Sequence, residues 1–524
     1  MSFSFFWKGF VFLLVLILLG GGIIFSNQIL AGDAFNREEA SHALYALWIQ
    51  RDMQAEDWES FWYDTQRQMV WPFLHSWVLA VFFLIFGVGY TSARLLSLLF
   101  FIFSLLLIYL ITNRMSEKDG PKIGILAVIL ALTSPLLLRY AAQNTLESMG
   151  ALLFLAAAYV YMVCEERKLT LFYVLLAFLI GLSIYTNYLY AYLMLPAFLV
   201  VTLAKLGPLL VDAVKLSRKG EKAAIPFIWW AYKKLIALLV LLTLAAAWFS
   251  FSFSRKILLL LGSIFKFSGG VEAKGLWQSL LYYPRIIVFD LSFSPWLGIF
   301  LLIFLFLPSL AFRYRWLSKL FVYVWTALLL LMLTIPAKAP QMTYIIAPFI
   351  LIIFSAGVFH FLGFLRARSR GLAVILLLFL FLPALLSLPR AYGMLFPFHP
   401  RENMIQVMDY FNASVPADAS MAVPLNLRHL NPEGAEFYFR DRKGTVLPDP
   451  QLGEEELYRS GEYFLTLELD EDSFYRAEVL DDSLYRWNAW LRQKAMAGGV
   501  QPYSSKRFES IGLTARIYKK TPGL

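Results

Sequence analysis

Long apolar runs, separated by short polar stretches rich in lysine and arginine, fill most of the chain. The runs Gly9–Ile29, Leu95–Ile111, Ile123–Leu138, Ser148–Val163, Leu169–Tyr185, Leu189–Ala204, Leu235–Phe253, Leu291–Phe312, Leu320–Ile335, Tyr344–Leu365 and Gly371–Leu388 approach the roughly 20 residues needed to cross a bilayer. They predict eleven transmembrane helices. A twelfth apolar segment, Trp71–Phe86, is ambiguous between a crossing and an interfacial or re-entrant helix. From about Pro389 the pattern changes. Alternating patches at Ser420–Pro424, Tyr463–Leu467 and Ala515–Tyr518 predict strands, and Glu402–Ala413 and Ser483–Ala497 predict amphipathic helices. The expected fold class is mainly α: a polytopic transmembrane domain over residues 1–388 and a small soluble α/β domain over 389–524.

Composition removes the soluble alternative. Of 524 residues, 59% are hydrophobic and 16% charged, more apolar surface than a single core of this length buries. The net charge of +10 does not point to nucleic acid, because the basic residues flank the apolar runs as orientation signals. With Trp71–Phe86 kept at the interface, the cytoplasmic segments hold 19 Lys and Arg against 6 Asp and Glu, while the outer loops before the tail hold 11 against 11. Counting Trp71–Phe86 as a crossing instead places Arg313, Arg315, Lys319, Arg366, Arg368 and Arg370 outside, against the positive-inside bias. The N-terminus is therefore expected in the cytoplasm, with the first apolar run as an uncleaved anchor and the C-terminal domain outside. Cys164 stands alone, so neither a disulfide framework nor a cysteine metal cluster is available.

The polar residues with chemical potential gather on the expected outer side. The first outer loop, residues 30–70, contains Asp33-Ala-Phe-Asn-Arg-Glu38-Glu39-Ala-Ser-His42 followed by the helix-forming run Ala40–Ile49. Carboxylates are costly beside a membrane. At a partly dehydrated surface their proton affinity rises, so Asp33, Glu38 or Glu39 can serve as a general base; the plain alternative is a solvated loop. Glu147 begins an apolar run, where the helix dipole alone is a sufficient reason for a carboxylate. Lys338 lies in a short turn and Arg94 and Arg139 at span ends, positions that suit either phosphate contact or snorkelling. His75, on an apolar segment, suits a hydrogen-bonded structural role or a substrate contact. The chain has no HExxH, no phosphate-cradling glycine loop and no recognisable Ser/His/Asp arrangement.

In these segments the chain resembles the GT-C-fold membrane glycosyltransferases, in the branch of the protein O-mannosyltransferases and the lipid A aminoarabinose transferase. Glu38-Glu39-Ala-Ser-His-Ala-Leu-Tyr45 resembles the first-loop Asp-Glu motif of that family. Trp71-Pro-Phe-Leu-His75, Phe86-Gly-Val88 and Ala93-Arg-Leu95 resemble its juxtamembrane helix, turn and following span start; Ser134-Pro135, Arg139-Tyr140 and Glu147 resemble its second outer loop; and Lys338, Tyr344 and Pro348 resemble its late signature. Glu38 and Glu147 stand where Asp is usual.

The resemblance implies an inverting glycosyltransferase that moves a sugar from a polyprenyl-phosphate donor (undecaprenyl or dolichyl) to a lipid, glycan or protein acceptor. Glu38 or Asp33 would be the base, with Glu39 beside them. Lys338, Arg139, Arg94 and Tyr344 would hold the donor phosphate and lipid, and Glu147 and His75 would position substrate. No cofactor is expected; the alternative is magnesium or manganese on Asp33, Glu38, Glu39 and Glu147. The expected location is the bacterial inner membrane, with the endoplasmic reticulum membrane as the alternative. A lipid-linked-saccharide transporter or envelope assembly factor is the non-catalytic reading, disfavoured because most charges sit at span ends rather than within spans.

The topology is checked by placing a protease-cleavable tag at Lys219: in sealed inverted vesicles the tag is expected to be cleaved, and protection there would reverse the orientation.

Overall fold

The computed structural model describes residues 3–68, 72–116, 118–167, 170–218, 276–307, 316–335, 338–371 and 399–522, together with Tyr314 and part of the segment 374–397. The expected span Leu235–Phe253, Trp71, Pro336 and the tag position Lys219 lie outside the described residues. The chain divides into two compact units, one of residues 1–28, 65–75 and 95–397, the other of residues 29–64, 76–94 and 398–524. The first loop therefore folds with the C-terminal segment, a grouping that the drop in hydropathy near 389 does not reveal.

The first unit is helical. It contains α1 (Phe3–Ile24), most of α5 (Tyr90–Met115), α6 (Gly120–Leu132), α7 (Pro135–Ala141), α8 (Glu147–Arg167), α9 (Thr170–Thr186) and α10 (Tyr188–Arg218), then the helices Leu276–Phe289, Pro295–Leu305, Leu317–Leu333 and Ala347–Arg368. Its core is an aromatic cluster in which Phe154 meets Phe198 and Phe349 at 5.8 and 4.8 Å between ring centroids, and Phe198 meets Tyr323 at 4.7 Å. Among the described residues three helices are long and apolar enough to cross a bilayer, Gly9–Leu30, Tyr90–Met115 and Ala347–Arg368. Shorter apolar helices coincide with most of the other expected spans.

Three expectations need correction. The span read as Ile123–Leu138 is not continuous: α6 and α7 meet at 71°. Pro135 is the cause, since its ring disfavours helical geometry at Ser134. Ser134 accordingly adopts φ −79° and ψ 119° and its Oγ accepts from Leu137 N at 3.3 Å, capping a new helix. Between the expected spans Leu235–Phe253 and Leu291–Phe312, where no helix is expected, the described part carries the helix Leu276–Phe289. Tyr344 belongs to the short turn of helix Gln341–Tyr344, ahead of the helix Ala347–Arg368 rather than within it.

The second unit joins α2 (Arg37–Ala55) and most of α3 (Trp58–Gln66) and α4 (Leu74–Phe86) to the C-terminal domain. With 13 residues, α4 is about 20 Å long. The domain is built on a mixed five-stranded sheet of order β2-β1-β3-β5-β4, with β1 (Met421–Ala422), β2 (Val446–Leu447), β3 (Tyr463–Leu469), β4 (Val500–Phe508) and β5 (Leu513–Lys520). β1 runs parallel to β2 and β3, and β5 pairs antiparallel with β3 and β4. The helix Ser483–Met496 covers one face: Trp487 is buried, donates from Nε1 to Leu465 O at 2.8 Å, and stacks on Trp490 with the rings 9° apart. Gly512, at φ +58°, makes the tight entry into β5 that a residue with a side chain resists.

Candidate active site

In the second unit the loop before α2 is folded around one guanidinium. Asn36 caps α2 by accepting from Glu38 N at 3.0 Å and Glu39 N at 3.1 Å, and Glu39 Oε2 accepts in return from Asn36 N at 3.2 Å. This is a reciprocal capping box. The carboxylate of Glu39 also takes Arg94 in a two-pronged pair, Nε to Oε1 at 2.8 Å and Nη2 to Oε2 at 3.1 Å. Arg94 Nη1 donates to Asp33 O at 2.8 Å, and the guanidinium lies 5.3 Å from the Phe35 ring. Both partners of the ion pair are buried, the side chains being 6% and 2% exposed.

Asp33 ties this loop to the C-terminal domain. Its Oδ1 accepts from Ala34 N at 2.7 Å and from Met404 N at 2.9 Å. Met404 opens the helix Met404–Ser414, so the carboxylate meets the donors that a helix start leaves over. Oδ2 accepts from the hydroxyl of buried Tyr475. Burial and the Asp33 charge push the Tyr475 phenol far above its ordinary range, so the hydroxyl keeps its proton and remains the donor. Glu38 is half-buried on the first turn of α2.

The first unit assembles a second cluster where α8 begins. Glu147 is buried, and its Oε1 accepts from Tyr190 OH at 3.2 Å. Gly150, one turn on, makes this contact available, because a Cβ there would fall 2.4 Å from the Tyr190 ring. Among the described residues Glu147 Oε2 has no well-formed hydrogen bond despite its burial. Ser148 Oγ donates to Tyr140 O at 3.2 Å and lies 3.1 Å from Tyr344 OH, and Tyr140 OH donates to Gln341 Oε1 at 3.3 Å. Lys338 closes the C-terminus of the helix Leu317–Leu333, donating to Leu331 O at 2.7 Å and Met332 O at 2.9 Å. A cation there answers the helix dipole. Arg139 is exposed on the last turn of α7, and His75 is buried on the first turn of α4.

The candidates named from sequence thus fall into two groups, one in each unit. Asp33, Glu39 and Arg94 come together, as do Glu147, Tyr344 and their neighbours. Arg94, expected to face a donor phosphate, is instead enclosed by Glu39 and loop carbonyls, because a buried guanidinium must find its partners inside. Asn36, Tyr190, Gly150 and Tyr475 were not anticipated. The Asn36-x-x-Glu39 spacing carries the capping signal; the tyrosines act across long sequence separations and leave no local one. Among the described residues no three His, Cys, Asp or Glu side chains gather as metal ligands.

Comparison with known proteins supports the same architecture. The model of the dolichyl-phosphate-mannose-protein mannosyltransferase family matches residues 71–217. No curated protein matches the chain. ArnT from Cupriavidus metallidurans bound to undecaprenyl phosphate is similar over 97% of this chain and 97% of its own, at 15% identity and TM-score 0.58. The same protein in the apo state aligns over 97% and 98%, at 16% identity and TM-score 0.57. The archaeal oligosaccharyltransferase AglB from Archaeoglobus fulgidus, in complex with an inhibitory peptide and a dolichol-phosphate, aligns over 89% of this chain and 70% of its own, at 12% identity and TM-score 0.52. The chain has the GT-C fold of polytopic membrane glycosyltransferases, as its sequence motifs led one to expect.

The Arg94–Glu39 pair makes a checkable prediction. Arg94→Ala strands a buried carboxylate and is expected to cost about 3–5 kcal/mol, read as a lowered unfolding temperature. Pairing Glu39→Leu with Arg94→Met removes both charges and is expected to recover most of that loss. Equal damage from the single and double variants would show that the pair is not what stabilises the loop.

Proposed function

We propose that this protein is an inverting glycosyltransferase that moves a sugar from a polyprenyl-phosphate donor to an extracytoplasmic lipid, glycan or protein acceptor. The observation that carries this reading is the likeness to a GT-C structure holding undecaprenyl phosphate, which runs through both units and nearly the whole of both chains. The match of residues 71–217 to a family named for a dolichyl-phosphate-linked sugar points the same way. The protein would sit in the bacterial inner membrane, with its N-terminus in the cytoplasm and its C-terminal domain outside, as the distribution of lysine and arginine favours.

Glu38 is the base in this reading. Glu38 stands in the first-loop motif where the family resemblance puts the catalytic carboxylate, while Asp33 is engaged by two backbone amides and Tyr475, and Glu39 by Arg94 and its own cap. Glu38 takes the proton of the acceptor hydroxyl or amine as the acceptor atom bonds to the anomeric carbon. The bond from that carbon to the phosphate oxygen breaks, and its electron pair leaves with the polyprenyl phosphate. The charge growing on that oxygen is the largest in the transition state, and fixed cations lower its energy most. The cations that the sequence resemblance implies for this role are Lys338, Arg139 and Arg94, of which Arg139 is exposed on α7. Glu147, held by Tyr190, positions substrate. In this reading the reaction proceeds without metal, with cationic side chains meeting the phosphate charge.

The test is release of lipid phosphate from labelled undecaprenyl- and dolichyl-phosphate sugars by purified protein in nanodiscs. Glu38→Gln is expected to lower turnover by ~10²–10⁴, and Asp33→Asn is expected to lower stability. Full activity in Glu38→Gln would remove it as the base, and no release from any donor would favour a transporter or assembly factor. In the same assay, a chelator is expected to leave the rate unchanged; loss of activity restored by magnesium or manganese would make the carboxylates ligands.

A further inference from the structure

The second unit carries a groove that none of this chemistry uses. It runs along α2 where that helix lies beside the short helix Pro432–Tyr438, and the loop from Pro448 to Glu454 forms its third wall. A wide lobe of about 620 Å³ begins at Arg37 and Glu433, and a narrow lobe of about 280 Å³ follows at Trp48 and Arg51; Glu436 and Pro448 line both. Arg37 and Arg51 stand about 21 Å apart along one helix, so the groove suits an extended ligand. Its wide lobe alone has the size of a small-molecule site.

The lining identifies the kind of occupant. Five carboxylates, Glu433 and Glu436 among them, and four guanidiniums, Arg37 and Arg51 among them, line the two lobes together, with the acidic excess in the wide lobe, so the groove as a whole nearly balances its charges and lacks the single-signed field that draws a polyanion or a polycation. Both groups hydrogen-bond to hydroxyls, the carboxylates by accepting and the guanidiniums by donating. The half-buried indole of Trp48 lines the narrow lobe with Leu44 and Leu47, and meets the edge of Tyr45 at 5.4 Å. A flat aromatic face beside polar groups matches a sugar ring, which is apolar on its faces and polar at its rim. The cations are already fixed: Arg51 Nη2 donates to Arg440 O at 3.0 Å, and Arg440 Nη2 to Val88 O at 3.2 Å. Less rotamer freedom is then lost on binding.

We propose that this groove binds neutral, hydroxyl-rich carbohydrate, and that it holds the glycan part of the acceptor; the second clause rests on the transferase reading. The wide lobe starts at Arg37, the residue before the base assigned above. An acceptor glycan lying along α2 therefore reaches the turn of the helix that bears Glu38.

Isothermal titration of the full-length protein in nanodiscs tests the first clause, with maltotetraose and a mannan-derived tetraose as neutral probes and the chitosan tetramer and tetragalacturonate as cationic and anionic controls. A neutral tetraose is expected to bind, and Trp48→Ala and Glu436→Gln are each expected to weaken it roughly tenfold, with unfolding temperatures showing that both variants are folded. No binding of either neutral tetraose, binding unaffected by both substitutions, or binding of the chitosan tetramer alone would overturn the proposal. Donor turnover by the unmodified protein is measured separately: its failure would sink the transferase reading and the acceptor role with it, while the titration alone decides whether the groove takes carbohydrate.

Discussion

A guanidinium buried as deeply as that of Arg94 has to be neutralised where it sits, because an isolated charge out of water costs several kcal/mol. That requirement organises the loop from Asp33 to Glu39. Glu39 supplies the charge, the carbonyls of Asp33 and Ala34 take remaining N–H groups, and the Phe35 ring covers the group. Glu39 is at once the third residue of α2 and half of its capping box. Fixing the ion pair therefore fixes where α2 starts and which way its first turn faces. The same arrangement sets where Glu38 stands on that first turn.

The same loop accounts for the division of the chain. Asp33 satisfies the first amide of the helix Met404–Ser414, and Asn431 Nδ2 donates to Phe35 O at 3.3 Å. Arg37 pairs with Glu433 at 3.3 Å. Each of these bonds spans several hundred residues of sequence and lies within one compact unit. The C-terminal domain is consequently completed by the first loop. A cut at the fall in hydropathy separates residues that share a core, because hydropathy reports the solvent a segment prefers and not the segment it packs against.

What the sequence made legible follows from the range of the interactions involved. Local signals held up well. The helix-forming run after Glu39 is α2, the alternating patches at 463–467 and 515–518 are β3 and β5, and Ser483–Ala497 is a helix to within a residue. Strand β4 was missed because Pro502, Lys506 and Arg507 give it the composition of a polar edge, which is how edge strands avoid pairing with other chains. The bend at Ser134 was visible as Ser-Pro, yet the surrounding run is apolar enough to read as a single span. The Tyr190–Glu147 and Tyr475–Asp33 contacts have no signature, since nothing in the neighbourhood of a tyrosine specifies a partner 43 or 442 residues away.

Charge seen in a sequence is also a poor guide to charge available at a site. Arg94 was a natural phosphate ligand by position, but its field is cancelled by a carboxylate 2.8 Å away, and the pair presents little net charge to anything beyond it. Lys338 points two of its three donors at the carbonyls ending the helix Leu317–Leu333; its charge is thereby offset by the dipole of that helix. Arg139, exposed on its helix, is different, because among the described residues it enters no buried pair and water still screens it. Excluding that water would strengthen its pull on an anion severalfold, as the effective dielectric falls. A cation meant to act in a transition state is best left in this condition, solvated until the substrate itself dries the site.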